Sequence, residues 1–140
     1  MPVRWGDLDA LNHVNNVVYF RFFEEARVQL MARIGIGHPP AKVIVLAHTS
    51  CDFLKPLTYP AVAVVSQIFK RVGRSSLEMD VILEREGEPG VSYAQGRYVL
   101  VAVDSATGKP AAWSAQELDR LAGVLGPEIL ANTEKERSNG

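Results

Sequence analysis

The chain has 140 residues, 47% hydrophobic and 22% charged, which is typical of one globular domain with an apolar core. Its net charge of −1 does not point to nucleic acid or an anionic membrane, its apolar runs fall short of the ~18 residues that cross a bilayer, and no signal peptide is recognisable. A single cysteine, Cys51, rules out an internal disulfide and favours a cytoplasmic location.

The first predicted elements are a short strand over residues 3–8 and a long helix over residues 16–33. The helix is predicted because apolar side chains recur at helical spacing: Tyr19, Phe22, Phe23, Ala26, Leu30 and Ile34. Asn15 or Asn16 caps its start, and Gly35 and Gly37 end it.

The following residues predict four strands and a short helix. The strands cover residues 43–53, 61–71, 76–84 and 91–103, and the short turns between them imply antiparallel pairing. A capping box at residues 114–117 starts a helix that runs to about Leu125. We expect residues 1–126 to form a single domain and the polar residues 127–140 to form a flexible tail.

This order of elements predicts an α+β fold in which an antiparallel sheet of about five strands curls around the long helix. One helix covers only one face of the sheet, while several strands carry apolar residues on both faces. We therefore expect self-association, as a homodimer or a homotetramer.

The densest group of polar side chains lies where the first predicted strand meets the helix: Asp7, Asp9, Asn12, His13, Asn15 and Asn16. On a strand, Asp7 and Asp9 share a face, so repulsion or burial would raise the pKa of one and leave a usable base. The N–H groups at the helix start would polarise a carbonyl oxygen. The same residues also suit turns and caps, so the residues alone leave both interpretations open.

Residues 7–19 read Asp-Leu-Asp-Ala-Leu-Asn-His-Val-Asn-Asn-Val-Val-Tyr, and residues 23–27 read Phe-Glu-Glu-Ala-Arg. These segments resemble the opening of the 4-hydroxybenzoyl-CoA thioesterase-like hotdog family. That family typically shows Asp-x-Asp-x-x-Gly-His-Val-Asn-Asn-x-x-Tyr and then Phe-Glu-x-Ala-Arg. Residues 55–57 resemble the end of its second strand and residues 72–76 the turn before its fourth, so the resemblance covers about residues 3–104.

The resemblance implies a hotdog fold that hydrolyses an acyl-CoA to a free acid and CoA without a metal or a cofactor. Asp9 matches the catalytic carboxylate, as a general base or as a nucleophile. The backbone N–H near Asn16 would polarise the thioester carbonyl. His13 and Asn15 would line or brace the site, whereas Asp7 would orient the loop.

A second cluster of polar residues lies at the turn between two predicted strands: Lys70, Arg71, Arg74, Ser75 and Ser76. The resemblance implies that this region meets the phosphates or pantetheine of CoA, often from the neighbouring subunit, and Arg74, Ser75 and Lys70 are the predicted contacts. A solvated turn is the alternative. Tyr19 belongs to an aromatic run that is first of all core, and part of that run would face the acyl chain.

Two positions depart from related patterns. Asn12 stands where the family has glycine, and asparagine tolerates a positive φ better than other non-glycine residues. Leu11 stands where plant acyl-ACP thioesterases, which the motif also resembles, have asparagine, and this counts against an acyl-carrier protein as the donor.

Two other functions are compatible with the fold. A non-catalytic hotdog module would bind acyl-CoA as a sensor, and a hotdog dehydratase would need a His/Asp arrangement at other positions. Asp9 beside a helix start favours the enzyme. The sequence does not specify the acyl group.

Overall fold

The computed structural model describes residues 1–35 and 42–129. Its elements, in chain order, are a 3₁₀ helix (Trp5–Asp7), α1 (Asn16–Ile34), β1 (Lys42–Phe53), β2 (Ala63–Val72), β3 (Ser76–Arg85), β4 (Ser92–Asp104) and α2 (Ala115–Leu125). The helices and strands predicted after residue 16 are therefore confirmed close to their predicted boundaries.

The ends of α1 follow the predicted caps. The Asn15 side chain accepts a hydrogen bond from the Val17 N–H, and Gly35 adopts the left-handed conformation with φ 77°. The Gly35 N–H then donates to the Met31 carbonyl at 2.9 Å. The predicted apolar face is buried: Tyr19, Phe22, Phe23, Ala26, Leu30 and Ile34.

The four strands form one antiparallel sheet in the order β1-β4-β3-β2. Buried and half-buried side chains alternate along β3, and Met79 lies opposite Tyr98 of β4 on the buried face. That face and the apolar face of α1 form one core, which is the hotdog arrangement. Gly96 of β4 lies so close to β1 that a Cβ atom would overlap the Ser50 carbonyl oxygen.

The predicted strand over residues 3–8 is wrong. The Asp7 carboxylate accepts hydrogen bonds from the Arg4 backbone N–H at 2.8 Å and from the Arg4 guanidinium at 3.2 Å, which folds this segment into a 3₁₀ turn. Extended pairing is limited to isolated bridges at the two ends of the segment, Pro2 with Val62 and Leu8 with Val14. At the first of these ends, the Val3 N–H donates to the Ala61 carbonyl and the Ala63 N–H to the Met1 carbonyl, both at 2.8 Å. The sheet of the described residues thus has four strands rather than about five.

The C-terminal helix closes one end of the core. Leu118 and Leu121 of α2 are buried, and Lys42 forms a 2.6 Å ion pair with Glu117. Ile129 is also buried, so packed structure extends past residue 126. The rest of the predicted tail, residues 130–140, lies outside the described residues.

The sheet has two edges, β1 and β2. The N-terminal residues pair with the start of β2, whereas no strand among the described residues covers the outer edge of β1. Val45 and Leu46 on β1 are exposed. An uncovered apolar edge of this kind is available to a second chain.

Candidate active site

A tight loop carries the predicted catalytic residues from the 3₁₀ helix to α1. The Asp9 N–H donates to the His13 carbonyl at 2.8 Å, and the Asn12 N–H donates to the Asp9 carbonyl at 3.0 Å. Asn12 has φ 61°, the conformation expected where the family has glycine. The loop therefore holds the backbone of Asp9 and His13 together.

The Asp9 carboxylate is anchored through one oxygen. Its Oδ1 accepts hydrogen bonds from the backbone N–H groups of Leu11 at 2.8 Å and His13 at 3.3 Å. Its Oδ2 accepts none from residues 1–35 or 42–129. One oxygen thus fixes the direction of the group, and the other can bind water or substrate.

The start of α1 leaves one N–H group available. The Val17 N–H donates to the Asn15 side chain at 3.1 Å, and the Val18 N–H donates to the Asn15 carbonyl at 2.8 Å. The Asn16 N–H makes no hydrogen bond with the described part of the chain. Together with the helix dipole, this donor favours negative charge at the end of the helix.

Asp7 has different surroundings from Asp9. It is only 3% exposed, and its Oδ1 lies 2.6 Å from the guanidinium of Arg21. Burial alone would raise the pKa of Asp7, but the hydrogen bonds from the Arg4 backbone and from the Arg21 and Arg4 guanidinium groups lower it overall. Asp7 therefore does not share a strand face with Asp9, and its pKa is lowered rather than raised.

A cleft of about 380 Å³ lies beside the start of α1. Four predicted site residues line it: Asp9, His13, Asn16 and Tyr19. Six further residues were not predicted as site residues: Leu11, Val14, Phe53, Leu54, Lys55 and Pro56. The last four follow or end β1, far along the chain, and their proximity depends on the folding of the sheet.

Aromatic rings form one wall of the cleft. The buried Tyr19 ring meets the Phe53 ring edge to face, with centroids 5.1 Å apart, and the Tyr19 hydroxyl accepts a hydrogen bond from the Leu57 N–H at 3.1 Å. Burial raises the pKa of Tyr19, so its phenol is neutral in the working range. Lys55 also lines the cleft, and its Nζ lies 5.1 Å from the centre of the Tyr93 ring.

The other predicted site residues do not line the cleft. Asn15 caps α1. The Nζ atom of Lys70 lies 3.7 Å from Oδ2 of Asp80 on the neighbouring strand. The carbonyl groups of Arg74 and Ser75 accept hydrogen bonds within the fold, at 2.9 Å and 2.8 Å. Because the resemblance places this turn at a neighbouring subunit's site, its contact with CoA stays a prediction.

Cys51 lies beside the cleft wall. It is half-buried on β1, and burial, with a contribution from Asp52, raises the pKa of its thiol to about 11.

Within the described ranges, no group of three or more His, Cys, Asp or Glu side chains is arranged to hold a metal ion. The described helices are also too short or too polar to span a membrane.

The amino-acid sequence of this chain is similar to those of known proteins. The sequence profile of the thioesterase-like superfamily matches residues 3–124. The YsmA protein of Bacillus subtilis (strain 168) is 30% identical over 124 residues, covering 86% of this chain and 82% of YsmA.

Solved structures are similar over nearly the whole chain. A thioesterase from Thermus thermophilus, complexed with coenzyme A and Zn, has a TM-score of 0.77 at 33% sequence identity. The match covers 90% of this chain and 91% of the Thermus thermophilus chain. The PA2801 protein of Pseudomonas aeruginosa has a TM-score of 0.77 at 36% identity, over 81% of this chain and 88% of its own.

Proposed function

Because the chain belongs to the thioesterase-like superfamily, we propose that it hydrolyses an acyl-CoA thioester to a carboxylic acid and CoA at the cleft beside Asp9. The observation that carries the proposal is a pairing within that cleft. Asp9 presents an uncommitted carboxylate oxygen, and Asn16 carries an uncommitted N–H at the start of α1. A nucleophilic or basic group and an oxyanion donor are the two parts that acyl transfer needs.

The chemistry follows from these two groups. With the thioester carbonyl oxygen at the Asn16 N–H, charge that develops on this oxygen is stabilised by the hydrogen bond and the helix dipole. Asp9 then either takes a proton from an attacking water or attacks the carbonyl carbon itself, to form an anhydride that water hydrolyses. In both routes the C–S bond breaks, the sulfur leaves as CoA thiolate, and water supplies the oxygen of the acid.

The coenzyme A in the related Thermus thermophilus structure supports CoA as the carrier group here. Lys55 in the cleft supplies a positive charge suited to an anionic substrate. Arg74, Ser75 and Lys70 would bind CoA phosphates or pantetheine at the cleft of a second subunit. The proposal also includes a homodimer or homotetramer, in a cytoplasmic setting, with the edge of β1 that no described strand covers as the contact.

The test is hydrolysis of short, medium, long and aromatic acyl-CoAs by the wild type and by Asp9→Asn. The amide keeps the size of the side chain but removes its basicity and nucleophilicity, so we expect kcat to fall by about 100-fold or more. Asp119→Asn, which changes an exposed carboxylate on α2, is the control and should keep full activity.

Two results would contradict the proposal. Cleavage that survives in Asp9→Asn would mean that another group does the chemistry. A wild type that binds acyl-CoA without cleaving any member of the panel would favour the sensor function instead.

A further inference from the structure

A second cavity lies beside the cleft, between α1 and β1. Its volume is about 300 Å³, and its apolar wall includes Val17, Phe20 and Leu46. Glu24 and Arg27, one and two turns further along α1 than Phe20, add charge to its lining. We call this cavity the distal groove.

The distal groove adjoins the candidate active site through a shared aromatic wall. Phe20 lines the groove and Phe53 lines the cleft, and the centres of their rings are 6.2 Å apart. Both cavities are lined by residues of α1 and β1. An acyl chain with its thioester at Asp9 therefore has apolar surface to follow from the cleft into the groove.

Arg27 is held in place at the groove. Its side chain is half-buried, and its guanidinium lies 5.2 Å from the centre of the Tyr98 ring. Tyr98 is fully buried, and its hydroxyl donates to the Gln67 side chain at 2.6 Å. Gln67 in turn donates to the Ala26 carbonyl of α1 at 3.1 Å. This chain of contacts fixes the ring on which the cation lies.

The guanidinium of Arg27 has no hydrogen-bonding partner in the described structure. No hydrogen bond or ion pair reaches it from residues 1–35 or 42–129. Arg21, the other arginine of the groove, is engaged by Asp7 at 2.6 Å. Glu24 is exposed and forms no ion pair with Arg27 in the described chain. A fixed arginine with free donors in an apolar cavity suits a carboxylate, which it can bind through two parallel hydrogen bonds.

We propose that the distal groove binds the far end of the acyl group and that Arg27 selects acyl groups ending in a carboxylate. The inference rests on the proposed thioesterase function and names its substrate class, the CoA monothioesters of dicarboxylic acids. Asn16 and Arg27 are 11 residues apart, or roughly 16 Å along the helix axis. Since helical side chains lean toward the N-terminus, the Arg27 side chain shortens this span, and a medium-length acyl chain fits it.

The test compares kcat/KM for two substrates of equal length, octanoyl-CoA and the CoA monothioester of octanedioic acid. The wild type should prefer the octanedioyl substrate. Arg27→Met keeps an apolar stem against Tyr98 but removes the charge. We expect kcat/KM for the octanedioyl substrate to fall at least about tenfold, the loss typical of a hydrogen bond between charged groups, and kcat/KM for octanoyl-CoA to change less than about twofold.

Two matched variants on the same helix sharpen the comparison. Glu24→Gln removes the negative charge that lines the groove and should increase the preference for the octanedioyl substrate. Arg33→Met removes an exposed positive charge outside the groove and should leave the ratio of the two kcat/KM values unchanged.

The outcomes separate this inference from the proposed function. Hydrolysis of both substrates with the same ratio in wild type and Arg27→Met would overturn the role of Arg27. An equal loss on both substrates with a lower melting temperature would also overturn it, since Arg27 would then only stabilise the fold. Failure to cleave any acyl-CoA, butanoyl-CoA included, would overturn the proposed function and this inference together.

Discussion

Asp7 and Asp9 are two residues apart, yet one is a structural carboxylate and the other faces the cleft. Asp7 contacts three parts of the site. Its carboxylate accepts hydrogen bonds from Arg4 and from Arg21 of α1, and its backbone carbonyl accepts one from the Asn15 N–H at 2.9 Å. These bonds attach the loop of Asp9 to the start of α1. The position of the Asp9 loop relative to the start of α1 therefore depends on the contacts of Asp7.

Replacing Asp7 by asparagine should make stability less dependent on pH. The folded pKa of Asp7 lies below its unfolded value of 3.8, so its contribution is fully present above that value and is lost as pH falls through the folded pKa. At pH 7 we expect Asp7→Asn to lower the free energy of unfolding by about 1–3 kcal/mol, with a smaller difference from the wild type near pH 3. Urea unfolding at both pH values measures this. An equal difference at both would contradict it, and Asp119→Asn is the control.

For individual residues, the sequence predicts which side chains of one short segment lie close together. Asp9, His13, Asn16 and Tyr19 lie in one short segment, and the loop and first helical turns are enough to bring them to one cleft. Lys55 reaches the cleft because its N–H donates to the Tyr93 carbonyl of β4 at 3.1 Å. The surroundings of Arg27 likewise depend on Tyr98, which is far away in the chain. Such long-range contacts leave no pattern in the neighbouring residues.

Among the described elements, β1 and β4 approach each other so closely at one point that a side chain would disturb the contact. Gly96 lies against the Ser50 carbonyl, and only a residue without Cβ fits there. This contact lies next to Cys51 and a few residues before Phe53, which lines the cleft. The position of the cleft wall therefore depends on Gly96.

Gly96→Ala should destabilise the protein by about 1–3 kcal/mol, because the added methyl group forces β1 away from β4. The matched control is Gly123→Ala in α2, where a Cβ meets nothing within 4 Å and alanine should raise stability by up to about 1 kcal/mol. Thermal unfolding of both variants gives opposite signs if the close approach is real. An unchanged melting temperature in Gly96→Ala would show that β1 can move away from β4 without loss of stability.

The elements with a long, regular pattern were predictable, and the irregular one was not. The apolar spacing of α1, the alternation of β3 and the capping box of Ser114 and Glu117 each reflect interactions within one element. Residues 3–8 contain too few residues for a period, and the side chain of Asp7 competes for the backbone of Arg4. The 3₁₀ turn arises from that competition.

For the whole molecule, we predict more than one chain from two features: the edge of β1 that no described strand covers, and the proposed contact of the turn at Arg74 and Ser75 with CoA in a neighbouring cleft. We expect sedimentation to give at least the mass of a dimer, and activity per chain to fall when dilution separates the subunits. The physical reason is that a separated chain would lose the proposed contacts of the neighbouring Arg74 and Ser75 with CoA. A fully active monomer at all concentrations would contradict this.

The surroundings of Cys51 have a practical consequence. With a pKa of about 11, only about one thiol in a thousand is ionised at pH 8, and the thiolate is the form that reacts with disulfide reagents. Cys51 is the only cysteine in the chain. A colorimetric assay that traps free thiols will therefore record the CoA released by turnover, with little background from the protein itself.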